Sequence, residues 1–226
     1  LKIKLVIKNN NKIICVYDFD GVILDTDLLK YNIFKNIFHN EQKSIQKKIL
    51  NYHFLNQGIN RIKKFEYIAS NITKKINIKK EVKYLESLFS KKLKQNLANC
   101  KFSTGVIKSM ESLKKNKIKM FLATGVNKKE IDKIIIKFKL KKYFEKVYGY
   151  PLKKDKIIKI IKKQENVKYS NIYFIGDSLS DLKAAKKTNI NFLGRKTVLN
   201  SKLLGKNKFF KEKNVYKITK TILSLY

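Results

Sequence analysis

Tryptophan is absent from this 226-residue chain, proline occurs once, and cysteine and histidine occur twice each. So few thiols and imidazoles leave no basis for a disulfide framework or a zinc site. Cys15 lies in an apolar run and Cys100 just before the second half of the chain, which predicts buried thiols in a reducing compartment. No apolar stretch approaches the ~20 residues needed to span a bilayer. The start, Leu1-Lys2-Ile3-Lys4, lacks a signal-peptide pattern, so the expectation is a cytoplasmic protein without membrane association, a monomer or homodimer.

Acidic residues are also scarce, 17 against 53 basic ones, giving a formal net charge of +36. Such a field attracts polyanions, and nucleic-acid binding is one reading of it. The basic residues are nevertheless spread along the whole chain and almost all are lysine, with arginine only at positions 61 and 195. A reader of bases and phosphates would concentrate arginine, so the charge is better read as a coding bias toward Lys, Asn and Ile. Weak, non-specific polyanion binding is expected, and no specific nucleic-acid partner.

What is present begins with Ile13-Ile14-Cys15-Val16-Tyr17, an apolar run that reads as a buried strand and leads into Asp18-Phe19-Asp20-Gly21. Side chains two apart on a strand point the same way, and Gly21 allows an immediate turn. Two crowded acids suit a divalent cation, with one carboxylate left to attack or to move protons. An ordinary Asp-Gly turn is the plain alternative. Further along, Lys117–Ala123 reads as a strand ending in Thr124-Gly125, and Asn171–Ile175 as one ending in Gly176-Asp177-Ser178-Leu179-Ser180-Asp181. Between them, Pro151–Lys156 opens a helix with Ile157, Ile158, Ile160 and Ile161 as its apolar face. Polar residues collected at strand ends are where an open parallel sheet builds its site.

Asp18-Phe19-Asp20-Gly21-Val22, Ala123-Thr124-Gly125, a lysine within 154–156, and Gly176-Asp177 with Asp181 occur in an order that resembles the phosphatases of the haloacid dehalogenase superfamily. The resemblance implies an α/β fold: a doubly wound, Rossmann-like parallel sheet over 1–25 and 100–226, with an inserted α-helical cap over 26–99. In the cap, Leu28, Tyr31, Ile33, Phe34, Ile37 and Phe38 repeat at helical spacing, as do Val82, Leu85, Leu88 and Phe89. Ser103 or Thr104 is the expected N-cap of the helix that returns to the core.

The resemblance also implies a Mg²⁺-dependent phosphatase acting on a small phosphorylated metabolite. Asp18 would be the nucleophile and a metal ligand, and Asp20 the acid and base, its backbone carbonyl touching the metal. Asp177 would complete the metal site, with Asp181 a ligand or a partner behind it. Thr124 and Gly125 would hold the phosphoryl group, although Thr124 could instead cap the helix from Lys128. Lys154, 23 positions before Asp177, fits the phosphate-binding lysine best, with Lys156 its competitor. Dehalogenase chemistry has no use for an acid at position 20, whereas a sugar phosphomutase would use the same core. A nucleic-acid-binding protein on a decayed scaffold is the reading from another class, and intact acids oppose it.

His53-Phe54-Leu55-Asn56-Gln57-Gly58-Ile59-Asn60-Arg61-Ile62-Lys63-Lys64-Phe65 resembles a cap segment of a bacterial subgroup of these phosphatases, often associated with surface-polysaccharide sugar biosynthesis. Asn60 stands where a small hydroxyl residue is expected. Arg61, in a chain nearly without arginine, is the candidate substrate contact, against an exposed helical arginine. His53 reads as a core or surface residue, and Arg195, at the end of the last core strand, as structural.

Overall fold

The computed structural model describes residues 12–200 and 209–224. Any strand before Lys12, allowed for in the sequence reading of residues 1–25, lies outside them.

Strand β1 (Ile14–Tyr17) has no exposed residue, because it runs in the middle of a six-stranded parallel sheet with both faces covered. Its neighbours are β2 (Lys119–Asn127) and β4 (Ile172–Gly176), followed outward by β3 (Lys146–Tyr150) on one side and β5 (Asn191–Arg195) and β6 (Lys211–Glu212) on the other. Alternate residues of β1 serve opposite faces. Cys15 and Tyr17 pack toward α5 (Val106–Lys115), α6 (Lys128–Lys137) and α9 (Val215–Leu223); Ile14 and Val16 pack toward α7 (Lys154–Glu165) and α8 (Leu179–Thr188). This is the doubly wound arrangement expected.

Between β1 and α5 the chain is helical: α1 (Asp27–Ile37), α2 (Lys43–Leu55), α3 (Arg61–Tyr67) running into a π-helical turn (Ile68–Ile72), and α4 (Ile78–Leu97). Phe34 is the pivot of this block. Its ring stacks on His53 at 3.8 Å and on Phe65 at 5.2 Å and meets Phe89 edge-on at 5.5 Å. Of the apolar positions read as the helical face, Ile33, Phe34, Phe38, Leu85 and Phe89 are buried, whereas Leu28 is 57% exposed. Two strands of chain connect block and sheet side by side, with Asp25 N–H donating to Lys101 O and Ser103 N–H to Ile23 O.

Several local expectations are corrected. The cap of α5 is neither Ser103 nor Thr104 but Gly105, whose φ of +79° only glycine adopts cheaply. Ser103 instead donates its hydroxyl to Asp25, and the Thr104 carbonyl accepts from Val215. Cys15 is buried, with its thiol pKa pushed up by burial, but Cys100 is only half-buried. Strand β2 runs four residues past Ala123, through Thr124-Gly125 to Asn127, and its register against β3 slips there. Strands β3 and β6 carry no strong apolar run and were not anticipated.

Candidate active site

The site lies where β1, β2 and β4 end. Asp18 continues β1's pairing, its N–H donating to Ile175 O at 2.9 Å, so its carboxylate leaves the sheet beside that of Asp177. Gly21 then turns with φ +69°, and a Cβ there would run into the Asp177 carboxylate. Asp181 arrives by another route: it is the third residue of α8, closing a capping box with Ser178. Its Oδ2 accepts from Ser178 Oγ at 2.6 Å, Ser178 N–H at 3.0 Å and Asp177 N–H at 3.2 Å.

Lys154, the first residue of α7, sends its buried ammonium between two of these acids, 2.9 Å from Asp18 Oδ1 and 2.5 Å from Asp181 Oδ1. Lys156 is exposed, which separates the two candidate lysines. Ligand oxygens of Asp18, Asp177 and Asp181 all lie within 4.8 Å of one another. Burial first, then the charge of Asp181, raises Asp18 to about 7 against the pull of Lys154. Burial and the charges of Asp27, Asp18 and Asp181 hold Asp177 well above the usual carboxylate range. The Lys154 pKa is raised: burial acts against the ammonium, but the two acids outweigh it.

An all-oxygen cluster whose carboxyl pKa values are raised by burial, then by mutual repulsion, fits a hard divalent cation such as Mg²⁺, which would replace the protons it holds. Asp18 and Asp177 are the freer donors, since both oxygens of Asp181 are already engaged. The Asp20 carboxylate stands apart from the cluster. It accepts from Thr26 Oγ1 at 2.7 Å and pairs with Lys30, so that despite burial its pKa is lowered. Thr124 is buried and does not cap α6: Asn127 does, while Thr124 Oγ1 accepts from Val126 N–H at 3.2 Å.

The helical block closes over this edge. Gly58 (φ +76°) presses its loop onto the sheet so tightly that a Cβ would strike Ser180 Oγ and Ser178 Oγ. Asn60 uses both ends of its amide, accepting from Ile62 N–H to cap α3 and donating to Gly125 O at 3.0 Å. Together they enclose a cavity of about 60 Å³, lined by Asp18, Asp20, Thr124 and Asp177 below and by Gln57, Lys64 and others above. A second, larger pocket of about 330 Å³ lies on the other side of Gly58–Asn60, lined by Tyr150–Asp155 and by residues of α8.

Arg61 borders the cavity, but its guanidinium is taken. It grips Glu86 of α4 through Nε and Nη2, both at 2.8 Å, and Glu130 of α6 at 2.6 Å, with Ser90 Oγ at 3.1 Å and the Phe89 ring 5.2 Å from Cζ. It therefore ties the helical block to the sheet layer. His53 is a core residue, held neutral mainly by burial. Arg195 is structural as read, donating to Gly21 O at 2.6 Å and to Asp25 Oδ1 at 2.5 Å.

Lys30, Lys64, Gln57 and Asp27 also line the cavity and were not singled out from the sequence. Lys64 is 4% exposed, and among the described residues it forms no ion pair; its Nζ meets only His53 Nδ1, at 3.4 Å. Burial, then the charge of Lys30, pushes its ammonium down to about 7.

Residues 15–195 match the model of the haloacid dehalogenase-like hydrolases, the family to which the chain belongs. A curated relative, the phosphorylated carbohydrates phosphatase of Thermotoga maritima, is 26% identical over 185 residues, covering 77% of this chain and 81% of the relative. Among solved structures, a β-phosphoglucomutase of Clostridium difficile superposes with a TM-score of 0.68 at 17% identity, over 94% of this chain and 97% of the other. A hydrolase of Pseudomonas syringae superposes at 0.73 with 13% identity, over 94% and 99%. At such identities the two structures speak for the fold alone.

Proposed function

We propose that the protein is a Mg²⁺-dependent phosphatase of small phosphate monoesters, with a sugar phosphate as substrate, and that residues 26–99 form a cap over a core made of 1–25 and 100–226. The observation that carries this is the buried Asp18–Lys154–Asp181 chain with Asp177 beside it, at the ends of adjacent parallel strands. The family match makes the chain a hydrolase, and the curated relative's name favours phosphorylated carbohydrates.

Asp18 attacks phosphorus, and the ester P–O bond breaks with its electrons passing to the leaving oxygen. Asp20, ionised here beside Thr26 and Lys30, takes up a proton when the charge of the ester draws Lys30 away from it, and gives that proton to the leaving oxygen. The aspartyl-phosphate is then cleaved by water, whose proton returns to Asp20 and resets it for the next ester. Lys154 neutralises phosphoryl charge and orients Asp18, while Thr124 and the backbone at Gly125 bind a phosphoryl oxygen. Asp18, Asp177 and the backbone carbonyl of Asp20, with Asp181 behind them, would hold Mg²⁺, which would supply charge neutralisation. Clamped by Glu86 and Glu130, Arg61 acts by holding the cap closed, so water is excluded while the ester reacts.

Hydrolysis of a chromogenic phosphate ester should stop with chelator and return with Mg²⁺; equal turnover without metal would refute the mechanism. Phosphate release from sugar phosphates, measured against formation of an isomeric sugar phosphate, separates the phosphatase from a mutase.

A further inference from the structure

Three cations at the site are paired with acids, but among the described residues a fourth, Lys64, forms no ion pair. Lys30 is spent on Asp20, Lys154 on Asp18 and Asp181, and Arg61 on Glu86 and Glu130. Lys64 has a buried ammonium with three protons and a single neutral acceptor, His53 Nδ1, and its Nζ lies 5.9 Å from the centre of the Phe34 ring. A buried cation with no direct ion pair is costly: burial, then the charge of Lys30, pushes its pKa down to about 7 although the charges of Asp20 and Asp27 act the other way. A second feature of the same wall is independent of charge: Gln57 Oε1 is buried, lines the cavity and has no hydrogen-bond donor. One wall thus asks for an anion and for a hydroxyl.

From these two unmet groups we infer that the Lys64–Gln57 wall of the cap receives the carboxylate and a hydroxyl of the leaving group, so that the preferred esters are phosphates of sugar acids. The inference rests on the hydrolytic reading above and narrows its substrate class. A carboxylate fits better than a second phosphate, because a single free ammonium faces the cavity and the acids Asp20 and Asp27 lie close enough to repel a dianion. A small acid without hydroxyls would leave Gln57 unpaired. A ligand of sugar size exceeds the closed cavity, so the Arg61 clamp has to loosen for it to enter.

The test uses two pairs of esters that differ only in carboxylate against hydroxymethyl: 6-phosphogluconate against glucitol 6-phosphate, and glucuronate 1-phosphate against glucose 1-phosphate. With the full chain and Mg²⁺, kcat/KM should favour the acid by about tenfold or more in the better-hydrolysed pair, the size of one charge-assisted contact. In Lys64→Met that ratio should fall to within about twofold of unity, with Lys64→Arg keeping part of it. A wild-type ratio near one in both pairs, or a preference surviving in Lys64→Met, overturns the inference. Calorimetric binding of the same esters to the Asp18→Asn protein with Mg²⁺ gives a second ratio that needs no turnover. Acid-selective binding by an enzyme that hydrolyses nothing would sink the phosphatase reading and leave this one standing; hydrolysis and binding without preference would do the reverse. Should Lys64→Met fail to fold, the wild-type ratios decide.

Discussion

Two buried lysines, Lys64 on the small cavity over the acids and Lys154 on the neighbouring pocket beyond Gly58–Asn60, have opposite electrostatic surroundings. Lys154, delivered by the first residue of a core helix, sits between two carboxylates, and its pKa is raised. Lys64, in the helical block, touches one neutral imidazole, and its pKa is pushed down. The first is completed by the protein itself, as a site must be if the same phosphoryl chemistry is to serve whatever ester arrives. The second is left incomplete, as a site must be if its partner comes from outside. On the function proposed above, the sheet edge carries the reaction and the helical block the choice of leaving group.

The largest effect that could break this comparison lies at the nucleophile. Asp18→Asn should lower kcat by about a thousandfold or more with the fold intact, because removing a covalent nucleophile leaves only positioning and electrostatics. Steady-state turnover together with circular dichroism tests it. Residual activity within tenfold of wild type would move the attack elsewhere.

Next come the two lysines, whose removal should change stability with opposite signs. Lys154→Met strands Asp18 and Asp181 as uncompensated buried acids and should cost about 3–5 kcal/mol in the metal-free protein. Lys64→Met removes an uncompensated buried cation and should stabilise the fold by on the order of a few kcal/mol. The pH dependence carries a sign as well. The Lys64 pKa lies lower in the folded than in the unfolded chain, so the folded state binds fewer protons between about pH 7 and the ordinary lysine range. The penalty is complete below pH 7 and fades as pH rises above it. The gain from Lys64→Met should therefore be greatest at pH 6 and much smaller at pH 9, as read from urea midpoints of the two proteins. A gain that grows with pH, or a loss at pH 6, would mean that Lys64 is partnered.

How much of this was legible in the chain depends on whether a residue's partners are local. Asp18 and Asp20 follow a continuous apolar run, and Asp181 is tied to Ser178 three residues earlier, so the sheet edge could be read in order from the strands that end there. Lys154 was favoured over Lys156 by its spacing to Asp177 and by the register that turns Ile158 and Ile161 inward, but only the burial of one and the exposure of the other separates the two. The helical block was different. A lysine with a special environment looks like any other in a chain with 53 basic residues, so Lys30 and Lys64 gave no signal. Arg61 stood out by rarity, but its partners lie 25 and 69 residues away, and only their convergence shows that its guanidinium is already paired. Gly105 escaped notice because two good capping residues precede it, and their side chains are committed elsewhere.

The Arg61 clamp supplies a smaller effect that sharpens the same comparison. Arg61→Ala frees Glu86 and Glu130, each roughly a quarter exposed, so the lost contact is worth about 1–2 kcal/mol after screening. Because the residue acts through closure, kcat/KM should fall by about tenfold for a large sugar phosphate and for a small generic ester alike. A loss confined to the large ester would return Arg61 to the leaving-group contacts, beside Lys64.

The smallest effect concerns the remaining lysines, which are solvated and widely spread, and therefore behave as the background against which Lys64 is exceptional. Any affinity they lend for RNA or DNA comes from counterion release, so it should decline steeply and linearly in log affinity against log salt. It should not distinguish one sequence from another, because base edges are read mainly by planar or forked side chains, and both arginines here are buried in contacts of their own. Fluorescence anisotropy with two unrelated oligonucleotides at about 50 and 200 mM salt measures both properties, with losses of about a thousandfold expected if six or more phosphates are contacted. Sequence-selective binding that persists at the higher salt would mean that the surface charge is organised, and the contrast between a background of lysines and one buried exception would no longer hold.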